Sequence, residues 1–330
     1  DPVALYDGLQ ALPTQAKPLS LWDDGSVRWL LLDTEVALNA NQAKTLSVNK
    51  LDEANEINGE TIDIQESAEL ITVRNGDLTV EIPRQHGGVI HRVLLNDVVV
   101  IDAPSVPTND RGAFVSVFDS SDQSSSHYFG GLLQTSSTAK PSDPINAYNE
   151  AVSDSGNSAY NLYNPWDLEV VVEEQGALHS VIKVSGTHLN AAGDSFSTFI
   201  VRLHFYRGEN TIKVAHTLIY SGDETQQISG YGLKLPMLAD GASTIVEGEL
   251  VNSGVGEVTH TEYLTHQVNG TSQADQALGY IGRSKNNVNM SVVLRDMAER
   301  FPKSLVANSE GLEVQLYPSS IAPWDLTKYT

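Results

Sequence analysis

Histidine and tyrosine fall together in turn-rich stretches of this chain: His127-Tyr128 in "SSSHYFGG", and His260, Tyr263 and His266 in "THTEYLTHQ". An arginine, Arg111, sits in a third such stretch, "NDRGAF". These residue types suit proton abstraction next to a carboxylate. A uronate loses its α-proton when one group neutralises the carboxylate, a base (usually Tyr, His or Lys) takes the proton, and an acid, often Tyr, protonates the leaving oxygen. His127, Tyr128, Tyr263 and His266 are therefore the catalytic candidates, with Arg111 a carboxylate contact. His-Tyr pairs also sit in loops for packing alone, and residue type does not separate the two readings.

A second concentration of chemistry lies between residues 178 and 220, where "LHSVIKVSGTHL", "FSTFIVRLHFY" and "TIKVAHTLIY" are joined by the polar turns "NAAGDS" and "RGEN". Short turns between apolar runs describe an antiparallel meander. Lys183, Arg202, Arg207 and Lys213 outnumber Asp194 and Glu209 here, and His179, His188, His204 and His216 join them. Side-chain alternation puts Arg202, His204 and Tyr206 on one face and Phe199, Val201, Leu203 and Phe205 on the other. Arg202 and His204 are candidate contacts for substrate carboxylates or sulfates. An ordinary solvated sheet face gives the same pattern.

Other chemistries find little support. The sequence holds no H-E-x-x-H, EF-hand, nucleophile-elbow, Walker or dinucleotide pattern. The absence of cysteine removes disulfides, thiolate metal sites and a Cys nucleophile. No cofactor is required by any motif; Asp119 and Asp122 could offer oxygens to calcium, as many Ser/Asp loops could. Against 42 Asp+Glu stand only 20 Lys+Arg, a net charge of -22. Such a surface repels nucleic acid and anionic membranes, so neither is expected as a partner. No apolar run is long enough to span a bilayer as a helix.

The elements that must position these residues are strands. "LTVEIPR" alternates, "HRVLLNDVVVIDA" reads as a hairpin turning at Asn96-Asp97, and further strands are expected at 231–235, 244–251, 277–282, 290–295 and 312–317. No sustained helical period appears. Residues 120–158, rich in Ser, Asn, Asp, Gly and Pro, read as a long irregular segment, and the acidic stretch 51–67 marks a domain boundary. In "LWDDGSVRWLLLD" (residues 21–33) the run Asp23-Asp24-Gly25-Ser26 supplies a turn, and the strand after it is expected to be buried on one face. A barrel corner explains that stretch; a sugar platform built on Trp22 and Trp29 is the alternative.

Four stretches together resemble a known family. "LSLWDDGSVRWLLLD" resembles the N-terminal small barrel of the exo-acting rhamnogalacturonan lyases and their ulvan-lyase-like relatives. "VVEEQGALHSVIKVSGTH" with "FIVRLHFYRGENTIKVAHTLIY" is similar to that family's central β-sandwich, and "VVLRDMAERFPKSLVANSEGLEVQLYP" to the strands that close it. "IAPWDLTKY" resembles the entry to the family's C-terminal (α/α) toroid.

The resemblance implies an all-β chain: a partial small β-barrel over residues 1–65, a large antiparallel β-sandwich over 66–318, and a linker over 319–330 toward a helical toroid that this chain lacks. The implied activity is β-elimination on a uronate-containing acidic polysaccharide, ulvan or rhamnogalacturonan, by a secreted or periplasmic bacterial lyase. Without the toroid the fragment could be inactive. The rival expectations are a non-catalytic carbohydrate-binding or structural sandwich, and the accessory region of a glycoside hydrolase.

Overall fold

A computed structural model of the chain describes residues 2–52, 57–84, 88–103, 112–119, 126–129, 168–189, 195–221, 226–237, 243–251, 254–262, 264–285, 288–309, 311–318, 320–321 and 324. Every regular element among them is a β-strand, and every strand pairing is antiparallel.

The N-terminal strands form two small sheets. β1 (Val3–Asp7) pairs with β2 (Gln10–Ala11) on one side and β5 (Ser47–Lys50) on the other, while β3 (Thr14–Leu21) and β4 (Val27–Thr34) make a separate hairpin. Asp24 closes the hairpin turn by accepting bonds from the Ser26 amide (2.9 Å) and hydroxyl (2.6 Å), and Gly25 takes the left-handed φ of 83° that the turn needs. These bonds hold the Asp24 carboxyl below its usual range. The expected burial of β4 is overturned. Its first half is exposed along with Leu19, Leu21 and Trp22, since β3 and β4 pair only with each other. Trp22 is 55% and Trp29 64% exposed, and Arg28 stacks its guanidinium 4.6 Å from the centre of the Trp22 ring.

Next comes a five-stranded sheet of β6 (Asp63–Glu66), β7 (Leu70–Asn75), β8 (Leu78–Pro83), β9 (Arg92–Leu95) and β10 (Val98–Asp102), in meander order. The Asn96-Asp97 turn joins β9 to β10 as expected, both residues at positive φ. Strand β6 belongs to this sheet and lies inside the acidic stretch 51–67, which thus contributes residues 63–66 to the pairing. β11 (Gly112–Asp119) and β12 (Ser126–Phe129) follow; β12 lies inside the segment expected to be irregular.

The three anticipated strands of the meander, β14 (His179–Leu189), β15 (Ser195–Tyr206) and β16 (Ile212–Tyr220), pair in order, and β13 (Glu169–Glu174) joins them at the edge to make one four-stranded sheet. Strict alternation along β15 buries Phe199, Val201, Leu203 and Phe205 and leaves Arg202, His204 and Tyr206 half-exposed. The buried side chains meet Ile71, Val73, Val80, Ile82 and Val93 of the five-stranded sheet, and these two layers are the sandwich. Asn75 fastens one end of it. Its amide donates to the carbonyls of Tyr206 (2.8 Å) and Glu209 (2.9 Å) and accepts from the Gly208 amide (2.8 Å), so a side chain of β7 holds the β15–β16 turn.

The remaining strands are β17 (Gln226–Pro236), β18 (Ser243–Val246), β19 (Glu249–Val251), β20 (Gly256–Glu262), β21 (Thr265–Val268), β22 (Thr271–Gln273), β23 (Tyr280–Lys285), β24 (Val288–Val293), β25 (Lys303–Ala307) and β26 (Gly311–Tyr317). They build an eight-stranded sheet in the order β12-β11-β17-β26-β25-β20-β21-β22 and a four-stranded sheet in the order β19-β18-β23-β24. Val258, Ile281, Met297, Leu305 and Leu312 pack a second core between them. The single strand expected at 244–251 is instead the hairpin β18–β19, because Glu247 and Gly248 both take positive φ and Glu247 accepts from the Tyr280 amide at 2.9 Å. After β26, Trp324 returns to bond Ile228 backbone to backbone and stacks on Tyr317.

Candidate functional site

The densest set of polar side chains lies where hairpin β3–β4 rests on the half-exposed face of the meander. Gln15 and Asp33 sit directly opposite each other across the hairpin, and Lys17, two residues on, shares the face of Gln15. Gln15 docks the hairpin. Its amide nitrogen donates to the His179 carbonyl (2.8 Å) and to Glu174 Oε1 (3.0 Å), and its oxygen accepts from the amides of Leu178 (3.0 Å) and His179 (3.1 Å). Gly176 makes this docking possible, since a Cβ there would lie 2.1 Å from the Gln15 carboxamide carbon. Arg207 adds a second tie, its guanidinium on the Glu35 carboxylate (2.7 Å) and the Asn58 carbonyl (3.1 Å).

Around this dock, Lys17 Nζ lies 2.6 Å from Glu174 Oε2. His179 is buried, its Nδ1 3.5 Å from Asp33 Oδ2 and 3.7 Å from Glu174 Oε1. The other nitrogen of His179, Nε2, is hydrogen-bonded to His204 Nδ1 at 3.0 Å, and Tyr206 stacks on His179 with ring centroids 4.6 Å apart. Burial first, then the neighbouring His179, Lys213 and Arg202, push the His204 pKa down. Arg202 grips Glu173 through two bonds, 2.6 and 2.9 Å, which hold the Glu173 carboxyl low. The set joins carboxylates, linked imidazoles and two cations at one interface. It can pass a proton between His179 and His204, and Asp33, Glu174 and His179 are the described side chains whose donor atoms converge enough to hold a metal ion.

The same strands carry a second set on the opposite face. His188 Nδ1 bonds the Ser197 hydroxyl at 2.8 Å, and the His216 ring packs 4.7 Å from the Tyr231 ring. Burial lowers both histidines to about 3 and raises the Tyr231 hydroxyl. Neutral imidazoles and a phenol meet here, sealed among Phe199, Phe196 and Tyr220.

The anticipated residues are scattered. Arg202 and His204 lie three strands' width or less from the dock and belong to its face. His127 and Tyr128 sit on β12, opposite Val117 and Ser116. His266 lies on β21, buried opposite His260, with Nδ1 2.9 Å from the Asp275 carbonyl. Six strand steps of the eight-stranded sheet separate β12 from β21, about 29 Å at ~4.8 Å per step, so the structure does not bring His127 and Tyr128 together with His266. Arg111, Tyr263 and Asp122 lie outside the described residues, and for Asp119 only the backbone is described. Sequence reasoning missed Lys17, Asp33 and Glu174 as site residues, and used His179 only as part of the meander's charge count. The contacts that bring the hairpin residues to the meander join positions as far apart as Lys17 and Glu174 or Asp33 and His179, and no local spacing announces them.

Fold and site together define an antiparallel β-sandwich protein with a polar, histidine-bearing outer face. Within it, residues 147–243 match the family model described as the PcRGLX-like protein central beta sandwich domain. Among the described residues the match covers β13 to β17, the meander and the strand after it. This supports the resemblance of the sandwich to a rhamnogalacturonan lyase-like family. No curated protein matches the sequence.

Proposed function

We propose that this chain is the β-rich region of a secreted bacterial polysaccharide lyase that cleaves a uronate-containing polysaccharide by β-elimination, with rhamnogalacturonan or ulvan as substrate. The observation that carries the reading is the family match over the meander, whose outer face bears Arg202 and His204. In this reading the two N-terminal sheets stand for the family's small barrel, and Arg202, His204 and Arg111 contact substrate carboxylates or sulfates. Base and acid act on one glycosidic linkage, so either His127 with Tyr128 or His266 with Tyr263 supplies them, and not both pairs together. Calcium at Asp119 and Asp122 is compatible with the reading and not needed by it.

Elimination leaves a C4–C5 double bond that absorbs in the ultraviolet. The test incubates the chain with rhamnogalacturonan and with ulvan, following absorbance, reducing ends and binding. A rise in absorbance with matching reducing ends supports a lyase. Reducing ends without the chromophore indicate a hydrolase and overturn it, as does a chain that neither binds nor cleaves either polymer. Binding without cleavage overturns autonomous catalysis and favours a carbohydrate-binding module, a reading that the exposed Trp22 and Trp29 would serve as a stacking platform.

A further inference from the structure

We propose that Asp33, Glu174 and His179 form a divalent-cation site, best matched to zinc, that clamps hairpin β3–β4 onto the edge of the meander. The site goes beyond the lyase reading and does not depend on it.

Two buried polar atoms at the dock have no hydrogen-bond partner, Nδ1 of His179 and Oδ2 of Asp33, although they face each other at 3.5 Å. The side chains are only 6% and 21% exposed. Leaving such atoms unpaired is costly, so the pair points to something that lies between them. Nε2 of His179 is committed to His204. When Nε2–H donates to His204, the lone pair of Nδ1 is turned toward the two carboxylates, an arrangement that a cation stabilises and an empty site does not. A ring nitrogen oriented by a bond at the other nitrogen is also how metal-binding histidines are held.

Distances and charge agree. A tetrahedral zinc ion with arms of about 2.1 Å sets its ligands roughly 3.4 Å apart. His179 Nδ1 lies 3.5 Å from Asp33 Oδ2 and 3.7 Å from Glu174 Oε1, and all three donor atoms fall within 4.8 Å of one another. Gln15 donates to the first oxygen of Glu174 at 3.0 Å and orients that ligand from behind, while Lys17, 2.6 Å from the second oxygen, competes with a cation for the carboxylate's charge. Two carboxylates stand against one lysine beside His179, a net negative surrounding that favours a cation. An imidazole beside two carboxylates suits zinc or manganese better than calcium, which prefers six to eight oxygens. Three protein ligands leave a position for water.

The test uses the 330-residue chain, freed of metal with a chelator and titrated calorimetrically with zinc; cobalt is then added for its visible spectrum. Wild type is expected to bind one zinc tightly and to give the intense bands of tetrahedral cobalt, with a raised melting temperature. Asp33→Asn, nearly isosteric, should weaken zinc at least tenfold while its circular dichroism stays that of wild type. Lys17→Met removes a competing charge and should tighten zinc several-fold, an effect that a purely structural lysine would not have. A wild type without a one-to-one zinc site, an Asp33→Asn variant that binds as wild type does, or a Lys17→Met variant with unchanged or weaker binding overturns the proposal.

Discussion

Four histidines on strands β14 to β16 fall into two pairs that share a sheet and little else. His179 and His204 lie on the outer face, hydrogen-bonded to each other and bordered by Asp33, Glu174, Lys17 and Arg202. His188 and His216 lie on the inner face, where apolar surroundings depress both to about 3. One residue type thus serves two ends. On the outer face it is hydrogen-bonded among carboxylates and cations at the interface between hairpin and meander. On the inner face it is a polar filler held neutral, and its ionisation would unfold the sheet it helps to pack.

The comparison can be broken from either side. Phe205→Ala removes a fully buried ring from the inner face and should cost about 3–5 kcal/mol, read from chemical denaturation. Acid comes next in size. The inner histidines are lowered from 6.5 to about 3, so the stability they carry is complete above pH 6.5 and is lost as pH falls from there toward 3. His216→Phe should flatten the stability–pH curve across that window, and an unchanged slope would remove His216 from the account. Asn75→Ala breaks the three bonds to the β15–β16 turn and should cost about 1–3 kcal/mol, seen as faster amide exchange at Gly208. Smallest is Arg202→Gln on the outer face, where a half-exposed ion pair with Glu173 contributes about 0.2–1 kcal/mol. A loss as large as that of Phe205→Ala would erase the distinction between the faces.

Much of the inner face was legible in the sequence. The alternation of β15 assigns Arg202, His204 and Tyr206 to one side and the phenylalanines to the other, and the short polar turns fix the order of the meander. Pairing between neighbours in sequence leaves a period that can be read. The dock was not legible, because Gln15, Lys17 and Asp33 meet Glu174 and His179 only across long stretches of intervening chain. The exposed hairpin tip misled in the opposite sense. Leu21, Trp22, Val27 and Trp29 have the composition of a core, yet each is about half exposed or more. Composition states what a side chain prefers, and topology decides whether a partner is there.

The proposed division between a substrate-binding outer face and a structural inner face is tested most directly by one crossed measurement. Affinity for rhamnogalacturonan and midpoint of urea unfolding are measured in wild type, in Arg202→Gln/His204→Gln and in His216→Phe. The outer-face double variant is expected to lose at least tenfold in affinity with its midpoint nearly unchanged, and the inner-face variant to shift its midpoint with affinity intact. Affinity that survives the outer-face changes, or falls only with the inner-face change, would contradict the account.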